Sequence, residues 1–345
     1  MSLRRFFQGR KTFDISGVVC YYDRAKNGFF TPSDTLSLYR RGISERKNAM
    51  TEPVSVLMSV YYRETPAFLT EALDSILINQ TRAPAEFVLV CDGPLTPELD
   101  AVIAGYQSRF PEILKVCRLE TNQGLGEALR FGLTRCTCDL VARADSDDLW
   151  VPDRLETQIR FMEAHPEISI SGGYIDEFRE DPGQPFRLRT VPLLPRDTAK
   201  MLKSRCPMNH TTVIFRRMDV EEVGSYRKIA DEEDYDLWIR AVAHGKKLGN
   251  LDRVLVHVRV GNGMAGRRGN RARIESWRVM NAYMLRHGMI NRLEYWRNMA
   301  AVRLFIYMPS WGREFLYRTI LRRRTGNPQG QTDDSRRHTG GGASV

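Results

Sequence analysis

Two groups of carboxylates stand out in this chain. Asp145, Asp147 and Asp148 fall within four residues, and Asp231–Glu232–Glu233–Asp234–Tyr235–Asp236 puts five acids into six positions. Carboxylates this close repel one another and hold their protons more tightly unless a cation is shared. Hard divalent ions such as Mg²⁺ and Mn²⁺ take oxygen ligands and bridge to phosphates. The first group is therefore a candidate seat for a nucleotide diphosphate held through a metal. The second group exceeds what helix capping asks for, and one of its acids is a candidate general base. Glu64 and Asp92 each follow an apolar run, where turn or cap duty explains a single acid equally well.

Such residues need a scaffold, and the hydrophobic pattern supplies one. Val54–Val60 reads as a buried strand. Pro66 opens a helix with Phe68, Leu69, Ala72, Leu73, Ile76 and Leu77 on one face. The alternation repeats as strand 87–91, helix 98–110, strand 114–119, helix 125–134 and strand 140–144. Strands and helices in this rhythm predict βαβ units and a mostly parallel α/β sheet. Ligands of such sheets lie beyond the carboxyl ends of the strands. Glu64, Asp92 and the Asp145–Asp148 loop occupy those ends. Beyond residue 150 the pattern loosens, with helices expected over 153–164, 234–243 and 273–286 and strands over 169–178, 212–216 and 253–260. Trp238 on its helix and His257 in its apolar strand read more simply as core.

Charge is unevenly placed on the 345 residues, whose net charge is +10. Residues 1–50 carry ten Lys/Arg against four acids, and residues 267–324 carry fourteen Arg against three, so the centre is acidic. That weighs against a nucleic-acid-binding core, which should itself be basic. Basic flanks suit an anionic surface. The six cysteines show no C-x-x-C or zinc spacing, and a reducing compartment is expected. Neither a signal peptide nor an apolar run of membrane-spanning length is expected.

The stretch Val54–Phe178 resembles the nucleotide-binding half of family 2 glycosyltransferases with the GT-A fold. The resemblance rests on Val54-Ser-Val-Leu-Met-Ser-Val-Tyr61, Ala72-Leu-Asp-Ser-Ile-Leu-Ile-Asn-Gln-Thr81, Val88-Leu-Val-Cys-Asp-Gly93, Asn122-Gln-Gly-Leu-Gly-Glu-Ala-Leu129, Ala142-Arg-Ala-Asp-Ser-Asp-Asp148 and Pro152-Asp-Arg-Leu155. Glu233-Asp-Tyr-Asp-Leu-Trp-Ile-Arg240 is similar to the family's acidic catalytic motif. Within the family, the chain is most similar to bacterial exopolysaccharide and capsule enzymes of the amylovoran-biosynthesis type.

The resemblance implies roles. Ser59, Tyr61 and Glu64 line the nucleotide pocket, Asp92 meets the uracil, and Asp145 faces the ribose and joins Asp147 at a Mn²⁺ or Mg²⁺ ion. Asp148 supports that site, Asp234 is the general base and Glu233 its neighbour. It further implies a metal-dependent, inverting transfer of one sugar from a nucleotide-sugar, with UDP-hexose expected, to a lipid-linked saccharide. Q-x-x-R-W, the mark of processive synthases, is absent. Tyr62 stands where relatives often have asparagine, and His257 falls a few residues short of their additional metal ligand. His210 and Trp238 are weaker acceptor-side candidates. The competing reading, a nucleotidyltransferase, lacks its glycine-rich basic phosphate loop, since Arg63 is the one base after the first strand.

The expected organisation is an extension over 1–52, a catalytic GT-A domain over 53–265, an Arg-rich helical region over 266–325 and a disordered tail over 326–345. In the third region Trp296, Val302, Phe305 and Ile306, a break at Pro309, and then Trp311, Phe315, Leu316 and Ile320 fit amphipathic helices lying in anionic headgroups. Such an enzyme is expected in the cytoplasm, peripheral at the inner face of the membrane.

Overall fold

A computed structural model describes residues 11–15, 18–23, 28–30, 52–261 and 272–308, and the chain divides into two compact units, Met1–Glu52 and Pro53–Val345. In the first unit, β1 (Lys11–Ile15), β2 (Val18–Asp23) and β3 (Gly28–Phe30) form an antiparallel sheet, with Thr12 opposite Tyr21 and Tyr22 opposite Phe29. The sequence reading assigned no elements here. The aromatic pairs 21–22 and 29–30 are strand formers, and short connections suit hairpins.

The second unit is built on a sheet of β4 (Val54–Val60), β5 (Glu86–Cys91), β6 (Leu114–Arg118), β7 (Leu140–Ala144), β8 (Leu149–Trp150), β9 (Ile168–Phe178), β10 (Arg187–Arg189), β11 (Ile214–Arg216) and β12 (Lys247–Arg259). Its order is β6-β5-β4-β7-β11-β9-β12-β8, with β10 on β9. Neighbours β6, β5, β4 and β7 run parallel, as do β9 and β12; β11, β8 and β10 pair antiparallel. This is the mostly parallel α/β sheet that the alternating pattern predicts.

The two faces of β4 feed two cores. Val54, Val56, Met58 and Val60 pack with α1 (Pro66–Leu77), α2 (Pro97–Arg109) and α4 (Arg154–Ala164). Leu57 points the other way, to α3 (Leu125–Leu133) and α7 (Glu233–Ala243). A strand buried on both faces shows an unbroken apolar run rather than alternation. Each fully buried aliphatic side chain contributes about 1.5–3 kcal/mol, so these cores hold the strand ends rigidly. Trp238 is completely buried in the second core, as its helical position suggested.

Elements absent from the sequence reading are β8, β10, α5 (Pro195–Leu202) and α6 (Arg217–Glu222). They are too short to show a period. A 3-10 turn, His210–Thr212, replaces the start of the strand expected over 212–216.

Two helices close the described chain: α8 (Ala272–Arg286) and α9 (Arg292–Tyr307). A reciprocal cap, Asn291 with Glu294, opens α9. Asn298 donates to Asn281 of α8 (2.8 Å) and to the Lys203 carbonyl (2.7 Å). This corrects the membrane-facing side. Val302 and Ile306 turn inward with Met299, while Leu293, Trp296, Leu304 and Tyr307 are exposed by 78%, 63%, 66% and 64%. The expected break at Pro309, the continuation to residue 324 and the tail over 326–345 lie outside the described residues. No described helix is long and apolar enough to cross a membrane.

Candidate active site

Register gathers the first acids at one edge of the sheet. Val60 pairs with Cys91 and Met58 with Ala144, so Tyr61, Asp92 and Asp145 all leave the sheet at its carboxyl edge. Ser59 and Tyr61 are half-buried there, and Glu64 follows in a turn closed by its N–H on the Tyr61 carbonyl (3.0 Å). Asp92 is 3% exposed and accepts the N–H groups of Gln123 (2.7 Å) and Gly124 (2.9 Å). It thereby anchors the Asn122–Gly124 loop, each oxygen keeping a second lone pair. Gly93 follows with φ +87°, and a Cβ there would sit 2.6 Å from the Asn122 nitrogen, so glycine alone fits this turn.

The Asp145–Asp148 loop carries the chain from β7, in the middle of the sheet, to β8 at its far edge. Ser146 donates to Glu64, tying the loop to the end of β4. Asp148 is fully enclosed, accepting the Thr211 hydroxyl (2.8 Å) and the Arg259 N–H (3.0 Å). Burial, then Asp145 and Asp147, push its pKa well above the carboxylate range. Asp147 is half-buried, and its carboxyl is pushed up to about 7 by burial, then by Asp145 and Glu64. Beneath the loop, Arg154 stacks on Trp150 at 3.7 Å and donates to the Arg143 carbonyl (3.0 Å).

The second acidic group opens α7. Glu232 is bound by Arg273 and the Trp277 indole (3.0 Å), which fastens α8 to the start of α7. Asp236 is spent on Arg240 (2.8 Å). Asp231 is exposed ahead of the helix, which leaves Glu233 and Asp234 for chemistry. Asp234 accepts its own neighbour's N–H, that of Tyr235 (2.7 Å), and lies 3.7 Å from the Cys206 thiol. Its pKa is raised by burial, against the pull of the Tyr235 N–H, Arg143, Arg189 and Cys206. Glu233 is pushed up to about 7 by burial and by Asp234. Gly126 lets α3 approach this group: a Cβ there would meet the Arg227 carbonyl at 2.6 Å and Glu233 Cβ at 3.2 Å.

Arg143 joins the halves. It pairs with Asp145 and its charge pulls down the carboxyl pKa values of Asp147, Glu233 and Asp234 alike. It is buried, and its Nε has no partner among the described residues. Both acidic groups thus lie within electrostatic reach of one buried guanidinium. Among the described residues, no three His, Cys, Asp or Glu side chains close on a point to cage a metal. A Mg²⁺ or Mn²⁺ serving a diphosphate needs only one or two carboxylates, with phosphate and water completing its shell. Asp147 and Asp145 fit that demand, being hard oxygen donors crowded by like charge.

His210 bonds Tyr226 (3.0 Å) edge-on to Trp238, and burial then Arg143 hold its pKa well below the usual imidazole value. It is held as a neutral side chain between Tyr226 and Trp238. His257 bonds Asp176 (2.7 Å). The sequence reading missed the residues that fix these groups: Thr211, Arg259, Arg154, Cys206, and the Arg273 and Trp277 side chains that hold Glu232. Thr211, Arg259, Cys206, Arg273 and Trp277 reach the acids from over 25 positions away, and Arg154 braces the Arg143 carbonyl beside them, none of which a local pattern announces. Cys91, Cys117, Cys136, Cys138 and Cys206 are all free.

Comparison with known proteins adds an independent finding. The glycosyl transferase family 2 profile matches residues 55–224. The amylovoran biosynthesis glycosyltransferase AmsE of Erwinia amylovora is 42% identical over 214 residues, covering 62% of this chain and 79% of its own. The UDP-Gal:alpha-D-GlcNAc-diphosphoundecaprenol beta-1,3-galactosyltransferase of Escherichia coli is 36% identical over 274 residues, 79% of this chain and 98% of its own. In fold, the mannosyltransferase PcManGT of Pyrobaculum calidifontis, solved with GDP-Man and Mn²⁺, matches with a TM-score of 0.51 at 18% identity, covering 85% of this chain and 84% of that one.

Proposed function

Since this chain belongs to glycosyl transferase family 2 and is a sugar-transferring enzyme of GT-A fold, we propose that it moves one hexose from a UDP-sugar to a hydroxyl of a lipid-linked saccharide, inverting the anomeric centre, in surface polysaccharide synthesis. The observation that carries this reading is the pair of acidic groups flanking Arg143 at the carboxyl edge of the sheet. The relatives' names supply the donor and acceptor classes.

Asp92 and the loop it anchors border the uracil, with Ser59, Tyr61 and Glu64 along the nucleoside and Asp145 at the ribose. Asp147 and Asp145 would hold Mg²⁺ or Mn²⁺ on the diphosphate, where a bound ion neutralises the charge that grows on the leaving group. Arg143 adds fixed positive charge at the same place. Asp234 takes the proton from the acceptor hydroxyl as that oxygen attacks the anomeric carbon. The C–O bond to the phosphate breaks on the opposite face, so an α-linked donor gives a β-linked product. Burial suits both tasks, because charges act more strongly where water is excluded. The test is a screen of UDP-, GDP- and TDP-hexoses for Mn²⁺-dependent release of nucleoside diphosphate. UDP release is expected; turnover undiminished in EDTA, or release of free nucleotide from none of them, defeats the reading.

The same reading places the enzyme at the cytoplasmic face of the membrane. Leu293, Trp296, Leu304 and Tyr307 form one exposed stripe on α9, with Arg292, Arg297 and Arg303 also exposed on that helix. Apolar side chains inserted among anionic headgroups, with arginines beside them, gain from both burial and charge. The full chain should co-sediment with phosphatidylglycerol vesicles at low salt, and the triple change Leu293→Ser, Trp296→Ser, Leu304→Ser should weaken binding about ten-fold or more. Equal binding by both proteins would remove α9 as the docking face.

A further inference from the structure

Arg259 closes β12, and three elements meet the Asp145–Asp148 loop through it. Its main-chain N–H holds the Asp148 carboxylate (3.0 Å), and its Nε donates to the main-chain carbonyl of Asp147 (3.4 Å). Another arm of the same guanidinium pairs with Glu71 of α1. The group lies over the ring of Phe68 of α1 at 4.1 Å and over that of Phe178, the last residue of β9, at 4.7 Å. Beside it, the Val260 N–H donates to the Phe178 carbonyl (2.9 Å), which fixes the end of β12 against β9.

The Arg259 side chain is only 9% exposed. Taking a guanidinium out of water costs free energy unless its charge and donors are met. Two aromatic faces and one carboxylate meet that cost here. The remaining contact, on the Asp147 carbonyl, is the one that bears on chemistry. Asp147 shares its loop with Asp145, and like charges so close push apart unless the main chain is held. A free peptide at Asp147 would rotate and turn its carboxylate away. Arg259 holds that peptide by its carbonyl and holds the next residue, Asp148, by its side chain.

We propose that Arg259 is the positioning residue of the metal site. Its guanidinium, clamped between Phe68 and Phe178 and aimed by Glu71, sets the main chain of Asp147 so that this carboxylate stands ready beside Asp145 for the divalent ion. The inference rests on the family reading above and deepens it, naming a residue that does not itself touch the ion. Lysine is a poor substitute, since a single ammonium cannot lie flat between two rings and divide its donors between a carbonyl and a carboxylate.

The test titrates Mn²⁺ into the full-length enzyme and follows its affinity for UDP. In wild type, UDP should bind more tightly as Mn²⁺ rises. Arg259→Met keeps an apolar stem between the rings and the main-chain N–H on Asp148. In this variant the Mn²⁺ concentration that gives half of the gain should rise about ten- to a hundred-fold, the usual loss when a group behind a metal ligand is removed. UDP affinity in EDTA should stay within about two-fold of wild type. Arg259→Lys should recover only part of the Mn²⁺ response. Glu71 is 51% exposed, so Glu71→Gln leaves the core intact. That change should raise the Mn²⁺ requirement about two- to five-fold by itself and add nothing in the Arg259→Met background. An unchanged Mn²⁺ requirement in Arg259→Met overturns the assignment. So does an equal fall of UDP affinity in EDTA, which marks a general loss of structure. If Arg259→Met does not fold, an unchanged requirement in Glu71→Gln overturns it instead. Wild type that binds UDP with no response to Mn²⁺ removes the metal reading and this assignment together, whereas a normal response shared by wild type and Arg259→Met removes the assignment alone.

Discussion

Replacing Asp234 by Asn should leave the affinity for UDP-sugar near that of wild type and lower kcat by about a hundred- to ten-thousand-fold, the range for a positioned general base. The substitution is nearly isosteric. An Asn oxygen still accepts the Tyr235 N–H that holds the side chain at 2.7 Å, so the local structure should survive. What disappears is proton affinity at the moment the hydroxyl attacks. Glu233 provides the control. Its carboxyl sits at about 7 because of burial and the neighbouring Asp234. Activity needs the base ionised, so the rate should rise with pH through the titration of this pair. Glu233→Gln removes a negative neighbour, which makes ionisation of Asp234 easier, and should move the acid limb of kcat/KM to lower pH. A dead Glu233→Gln beside an active Asp234→Asn would shift the base by one residue.

The acids themselves were legible because their types and spacing are unusual. Asp145–Asp148 and Asp231–Asp236 announce themselves against any background. The strands that position them show as apolar runs because β4, β5 and β7 are buried on both faces. What the sequence conceals is the pairing of distant pieces. β8 has two residues and exists because β12 offers Val256 and His257 as partners, and this small pairing sets where the Asp145–Asp148 loop must end. Arg143 looks like an interruption of a strand, yet burial turns it into the charge shared by both acidic groups. The side of α9 that packs inward was likewise hidden. Val302 and Ile306 repeat at helical spacing just as Leu293, Trp296 and Leu304 do, and only the partner helix α8 decides which stripe is covered.

Replacing Asp147 by Ala should abolish transfer, by about a thousand-fold or more, given the several kcal/mol that a metal supplies to a developing phosphate charge. The protein should remain folded. Asp147 makes no hydrogen bond from its carboxylate to another side chain, in contrast to Asp148, which is held by Thr211 and the Arg259 backbone. In the metal-free protein Asp147 is a desolvated carboxylate facing Asp145 and Glu64. Removing it relieves repulsion, so the melting temperature without metal should not fall. The sign reverses once ligands are added. Wild type should be stabilised by Mn²⁺ together with UDP, because only the folded state binds them. Asp147→Ala should lose the metal-dependent part of that shift while keeping whatever UDP gives alone. Asp148→Ala should behave differently, lowering the melting temperature before any ligand is added, since it leaves a buried hydroxyl and a buried N–H unpaired. Thermal melts of the three proteins with EDTA, Mn²⁺, UDP and both ligands separate these outcomes. A Mn²⁺-dependent shift that persists undiminished in Asp147→Ala would place the ion elsewhere, and full activity of that variant would end the role given to this carboxylate.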